Sequence, residues 1–346
     1  MGRNDQRKRF IRKGLMLALS FLLVMVAFLP AGSAQAADSK WINAVWTKYK
    51  NYNATVKASY NTYMTKLIKD YNTYYKSQND RLAELERIVL EDQKKWNEKL
   101  AADLAELKPR YENNDDLRFE LRQYEREINP NSLSSQMGVY VRAANRHSLS
   151  STMGLFAREL NENSLSSYMY EYKKATNINS LSSPAYGLHK TVTDTYLSSP
   201  MYALMKNSST SYISSPIYAY SRGKISKANA QKQYAKLFTQ YTAQISQDSA
   251  TYKQQIASTS QSAQQKIEAL YQDTVRLLEN QRNNTLQAIS DQRKKLTGEG
   301  LTWEPLLLAP VEGSTGTSAG SQAGNSTNPS AEKAPATSQG TTAQQP

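Results

Sequence analysis

Asn131-Ser-Leu-Ser-Ser135, His147-Ser-Leu-Ser-Ser151, Asn163-Ser-Leu-Ser-Ser167, Asn179-Ser-Leu-Ser-Ser183, Thr195-Tyr-Leu-Ser-Ser199 and Ser211-Tyr-Ile-Ser-Ser215 recur at a spacing of 16 residues. A fixed period of this kind marks a repeat architecture, in which one small unit cannot bury its apolar face alone. Numbering the unit from its first residue, position 3 is Leu or Ile and positions 4 and 5 are Ser in all six copies. Position 7 is Met137, Met153, Met169, Ala185, Met201 and Ile217, and position 10 is Tyr140, Phe156, Tyr172, Leu188, Leu204 and Tyr220. Position 12 is always basic: Arg142, Arg158, Lys174, Lys190, Lys206 and Arg222. A degenerate copy over 115–130 places Leu117, Leu121, Tyr124 and Arg126 on positions 3, 7, 10 and 12.

Two local structures compete for the unit. Ser-Ser-Pro-x-Tyr at 182–186, 198–202 and 214–218 matches a helix start, with Ser as N-cap and Pro at the first helical position. Positions 3, 7 and 10 then fall on one helical face. Period-two alternation at 170–174 and 218–222 would instead suit a strand. Short helices joined by Asn/Ser/Thr turns are the preferred reading. The Ser pair is read as capping and not as nucleophilic chemistry.

The repeat block is flanked by two long periodic stretches. Over 39–108, apolar residues from Ile42 to Leu107 step by three and four without Gly or Pro until Pro109, which predicts a long amphipathic helix or coiled coil. Ser77-Gln-Asn-Asp80 is the candidate break. Residues 38–130 hold 17 basic and 16 acidic residues, a solvated face with ion pairs. Its Tyr stripe is read as core packing, with sugar binding as the alternative. A second stretch, 225–297, continues the pattern and stops at Gly298. At ~1.5 Å per residue the two would be about 105 and 110 Å long. Near-equal lengths suggest an antiparallel coiled-coil hairpin or bundle with the repeats at its far end. The fold class is therefore mainly α.

The chain divides into 1–36, a signal peptide; 37–114, a long helix; 115–226, the repeats; 227–300, a second long helix; and 301–346. The first segment has a basic stretch (Arg3 to Lys13), an apolar run over 15–30 and Ala34-Gln-Ala36 as an A-x-A cleavage site. Its basic start resembles signals of Gram-positive bacteria. Removing it lowers the net charge from +13 to +8 and leaves no cysteine, so disulfides and thiolate chemistry are excluded. Residues 301–310 are apolar enough to fold back on the helices. Beyond Gly313 the Ser/Thr/Gly/Ala/Gln/Pro composition predicts a disordered tail.

No catalytic residue, metal site or cofactor motif emerges. Only His147 and His189 are present, at different repeat positions. Gly316-Thr-Ser318-Ala-Gly320 matches a nucleophile elbow but has no strand before it or helix after it. Nucleic acid is not expected as a partner. The leading expectation is a secreted, non-enzymatic protein of the cell surface. Its repeats would bind an envelope polymer (teichoic acid or peptidoglycan) multivalently, with the six position-12 cations as contacts. The cations have an equally strong structural reading, as charges at helix C-termini. The alternative function is a coiled-coil regulator or assembly factor for another exported protein such as a cell-wall hydrolase, with self-association through the long helices.

Overall fold

The computed structural model describes residues 34–306 and 308, with side chains from Ser39 onward. The signal segment up to residue 33 and the expected disordered tail lie outside the described residues. The chain divides into two units between Leu306 and Leu307, and all the described helices belong to the first. Among the described residues the structure is helical with no strand.

Helix α1 (Ala34–Tyr111) is followed by seven short helices and then by α9 (Lys227–Thr297). The short ones are α2 (Arg118–Glu127), α3 (Gln136–Ala143), α4 (Thr152–Glu159), α5 (Tyr168–Thr176), α6 (Pro184–Val192), α7 (Pro200–Asn207) and α8 (Pro216–Ser221). Helix α1 runs unbroken through Ser77-Gln-Asn-Asp80, where Gln78 is buried, so the expected break is absent. Gly298 ends α9 in the left-handed region at φ 81°, with its N–H on the Lys294 carbonyl.

The two long helices are parallel, not antiparallel. Tyr52 reaches the Thr242 carbonyl, Tyr74 that of Gln264, Arg282 the Asp92 carboxylate and Arg293 that of Asp103, always 190 residues apart. An antiparallel pair would hold the sum of the numbers constant; here the difference is constant. The helices are parallel because the short helices do not cap the far end. They carry the chain back along the pair.

That return can be followed residue by residue. Tyr124 bonds Asp103, Tyr140 bonds Asp92, Arg146 pairs with Glu86, Glu162 accepts from Tyr71, and His189 meets Tyr60. Asp194 accepts from Tyr49, and Trp41 packs edge-on against Tyr220 at 5.2 Å. Within one copy the direction is the same, since Gln136 lies opposite Thr285, Tyr140 opposite Asp92 and Arg146 opposite Glu86. The short helices therefore lie along the rod as one return strand, broken into pieces. Helix α9 touches all seven of them.

The long helices have a period of their own, 11 residues. Ile245, Ile256, Ile267, Leu278 and Ile289 are all at most 2% exposed. In α1 the matching rows are Val45, Gln78, Val89 and Leu100, and Trp41, Leu85, Trp96 and Leu107, each buried, with Tyr52, Tyr63 and Tyr74 completing the second row at half-burial. The Tyr stripe is thus core. Steps of four, four and three give 3.67 residues per turn, close to the natural helix, so the buried stripe stays on one face with only a slight right-handed drift.

Sixteen residues of return strand match eleven of long helix. Tyr124 to Tyr140 is one repeat, and their partners Asp103 and Asp92 are eleven apart. The common advance is ~16.5 Å. A continuous helix would cover it with 11 residues, so each repeat has about five in surplus. Those residues leave the helix as a turn, which is why the return strand is broken at every copy.

Positions 7 and 10 anchor each piece. Met137, Met153, Met169, Ala185, Met201 and Ile217 are fully buried, as are Tyr140, Phe156 and Leu204. Each of the Met, Ile, Leu and Phe side chains among them contributes roughly 1.5–3 kcal/mol of apolar burial. The third anchor is position 14 and not position 3: Ala144, Leu160, Thr176, Val192 and Ser208 are buried. Helix formation begins at position 6, so position 3 precedes the helix and cannot share its face. Of the segment 301–310 expected to fold back, the described residues up to 306 do so, with Lys99 bonding the Thr302 carbonyl and Arg282 that of Glu304.

Candidate functional site

The surplus turns form the outer edge of the return strand, and the capping Ser is common to every copy. Position 5 is the N-cap in all six: the Oγ of Ser135, Ser151, Ser167, Ser183, Ser199 and Ser215 accepts the backbone N–H three residues on. In five copies the same hydroxyl donates to the carbonyl six residues earlier, for example Ser167 to Asn161 at 2.6 Å and Ser199 to Thr193 at 2.7 Å. Asn129, Asn145, Asn161 and Asn177 each take the backbone N–H two residues ahead on Oδ1, an Asx turn. One buried Ser thus ties both ends of the turn together.

Positions 3 and 4 take no part in that closure. Leu133, Leu149, Leu165, Leu181, Leu197 and Ile213 are 75–79% exposed, and the Ser that follows each of them is exposed as well. Only the second Ser of the pair caps. The first, and the aliphatic residue before it, are identical or nearly so in six copies while facing solvent.

The position-12 cations are placed differently from one another. The Arg142 guanidinium donates to the carbonyls of Ser132 and Leu133, beneath the exposed Leu of its own copy. Arg158 holds the Glu159 carboxylate, whose other oxygen accepts the Tyr168 N–H at the start of the next helix. Arg126 and Glu127 repeat that device ahead of Gln136. Arg222 sits at the end of α8, 5.4 Å from the Tyr218 ring. Among the described residues Lys174, Lys190 and Lys206 make no ion pair. Lys190 lies with Leu181 and Tyr186 around a shallow pocket of about 290 Å³, and Lys174 lines one of about 180 Å³ with Asn163, Tyr170 and Lys173. Arg142, Arg158 and Arg126 thus tie turns and caps together, and Lys174, Lys190 and Lys206 keep an unpaired, half-exposed charge.

Position 8 divides the copies further. It is Gly138 and Gly154 in the first two, where a Cβ would come within 1.9 Å of a turn carbonyl, and Tyr170, Tyr186, Tyr202 and Tyr218 afterwards. The tyrosines line the turns, and Tyr186 and Tyr202 meet Tyr196 and Tyr212 of the following copy edge-on. Sequence reading missed this division, although the Gly-to-Tyr change at one repeat position was legible.

The block 131–226 has nine basic residues and four carboxylates. Every carboxylate is engaged: Glu159 with Arg158, Glu162 with Tyr71 and Lys173, Glu171 with Lys266, Asp194 with Tyr49 and Lys57. The Tyr71 phenol, 2.6 Å away, and Lys173 hold the Glu162 carboxyl below its ordinary range against the opposing effect of burial. His189 is the reverse case of a basic group: partial burial lowers its pKa. No helix among the described residues is long and apolar enough to cross a membrane. Comparison with protein-family models, curated proteins and solved structures finds no match, so the functional reading rests on this geometry.

Proposed function

We propose that the protein is an exported, non-enzymatic scaffold that attaches to an anionic surface of the cell envelope through the edge of its repeats. The observation that carries this reading is a sequence element exposed in every copy, Leu-Ser or Ile-Ser at positions 3 and 4, repeated at ~16.5 Å intervals along two long helices. Six equivalent weak contacts on one scaffold give avidity that none has alone, and the linkage is through folded helix, so little entropy is lost as successive sites engage. The unpaired charges of Lys174, Lys190 and Lys206 set the sign of the ligand as negative. The carboxylates of the block, each tied to a partner, do not oppose it.

The test is co-sedimentation with purified Gram-positive cell walls, with and without teichoic acid, across a salt series. Binding should fall with rising salt, and the triple variant K174E/K190E/K206E should lose it at least tenfold while keeping its helical circular dichroism. Equal binding by the variant would overturn the reading.

A further inference from the structure

The six exposed aliphatic side chains have no architectural task. The turn is closed by Ser at position 5, with an Asx residue beside it in four copies, and helix packing is supplied by positions 7, 10 and 14. Scattered single leucines on a surface need no explanation, but here one position stays aliphatic in six copies that have diverged elsewhere, at 75–79% exposure. At two copies the structure also fixes what lies beside it. Arg142 donates to the Leu133 carbonyl, and Lys190 shares a pocket wall with Leu181.

We infer that this edge docks on an anionic phospholipid bilayer, the leucines entering the boundary between headgroups and acyl chains while the neighbouring cations meet lipid phosphates. The inference rests on the envelope-surface reading above and names the ligand within it. An aliphatic tip with a cation under it is the arrangement that holds a protein on, not across, an anionic membrane. A soluble polyanion would engage the cations and leave the leucines without a partner. A second copy of the chain would bring two cationic edges together, and the block has no unengaged carboxylate to offset that repulsion.

Flotation of the full chain with vesicles of phosphatidylcholine alone and of phosphatidylcholine with phosphatidylglycerol tests this. Soluble teichoic acid and analytical ultracentrifugation without lipid serve as parallel arms. The wild type should float only with the anionic vesicles. The triple variant Leu149→Ser, Leu165→Ser, Leu181→Ser should lose vesicle binding by about tenfold or more, in keeping with the apolar area withdrawn, and keep its binding to teichoic acid. These side chains are solvent-facing, so the thermal midpoint should not move. Unchanged flotation of the triple variant would overturn the inference. So would a wild type that binds teichoic acid but no vesicle, an outcome that leaves the envelope reading standing. Leucine-dependent self-association in place of lipid binding also overturns it. Failure to bind either vesicles or polymer removes both readings.

Discussion

The Arg282 guanidinium on α9 forms two hydrogen bonds, 2.8 and 3.0 Å, to the Asp92 carboxylate on α1, and both side chains are at most 9% exposed. The Tyr140 phenol of the return strand donates to the same carboxylate at 3.0 Å. One repeat earlier, Arg293, Asp103 and Tyr124 reproduce the triad, at 17% exposure for the ion pair. All three strands of the rod meet at each triad, so the pair of triads fixes the register of the return strand against both long helices.

Removing one charge should therefore be costly. Asp92→Asn leaves a buried guanidinium uncompensated, and chemical denaturation should show a loss of about 3–5 kcal/mol. Asp103→Asn, at the more exposed triad, should cost less. The combined replacement Asp92→Leu, Arg282→Met and Tyr140→Phe should recover most of the loss, because the desolvation of both charges and of the buried phenol is removed together.

The capping serines separate cleanly from their neighbours. Ser167→Ala deletes both the bond to the Tyr170 N–H and the bond to the Asn161 carbonyl, and should destabilise by about 1–2 kcal/mol. Ser166→Ala, at the exposed position before it, should change stability by less than about 0.5 kcal/mol. Equal effects in thermal denaturation would contradict the assignment of position 5 as the only cap.

Parallel packing has a direct distance signature. The chain has no cysteine, so spin labels can be placed at Lys50→Cys and Asp291→Cys without background. On the 190-residue offset, residue 291 lies opposite 101, which places the labels ~75 Å apart along the axis. An antiparallel hairpin would bring them close together. Pulsed electron resonance distinguishes the two outcomes.

Acid should weaken the link between the return strand and α1 at Glu162. Its folded pKa lies below the ordinary 4.5, so near that pH the unfolded chain binds more protons. The stabilisation from Tyr71 and Lys173 is complete above about pH 4.5 and is lost as pH falls through the lower, folded value. Glu162→Gln should be less stable than the wild type near neutral pH, and the gap should close toward pH 3 in urea titrations. A constant gap would show that the carboxylate charge is not what the two partners recognise.

The sequence by itself determined the elements and most of their ends. The 16-residue period located every short helix, Ser-Ser-Pro named cap and first turn, Gly298 stopped α9, and the apolar steps of three and four marked two long helices. These are local preferences, decided by backbone donors and by which residues a single helix can line up. The row Ile245, Ile256, Ile267, Leu278 and Ile289 was also legible as an 11-residue period and would have predicted a nearly straight pair.

Only the tertiary structure decided direction. Apolar periodicity says that a helix needs a partner and is silent on the partner's polarity, since a buried stripe looks the same read either way. Near-equal helix lengths fit a hairpin as well as a parallel pair joined by a return strand. What selects the second is the course of the short helices, whose partners on α1 fall in number as the chain advances, visible only once Tyr124 and Tyr140 are seen on Asp103 and Asp92. The mismatch between 16 residues and 11 expels the turn, and so turns Leu133 and its five counterparts from expected core residues into an exposed row. A hydrophobic residue at a constant repeat position reads as core in one dimension. Whether it faces inward depends on how much chain the neighbouring helices leave room for.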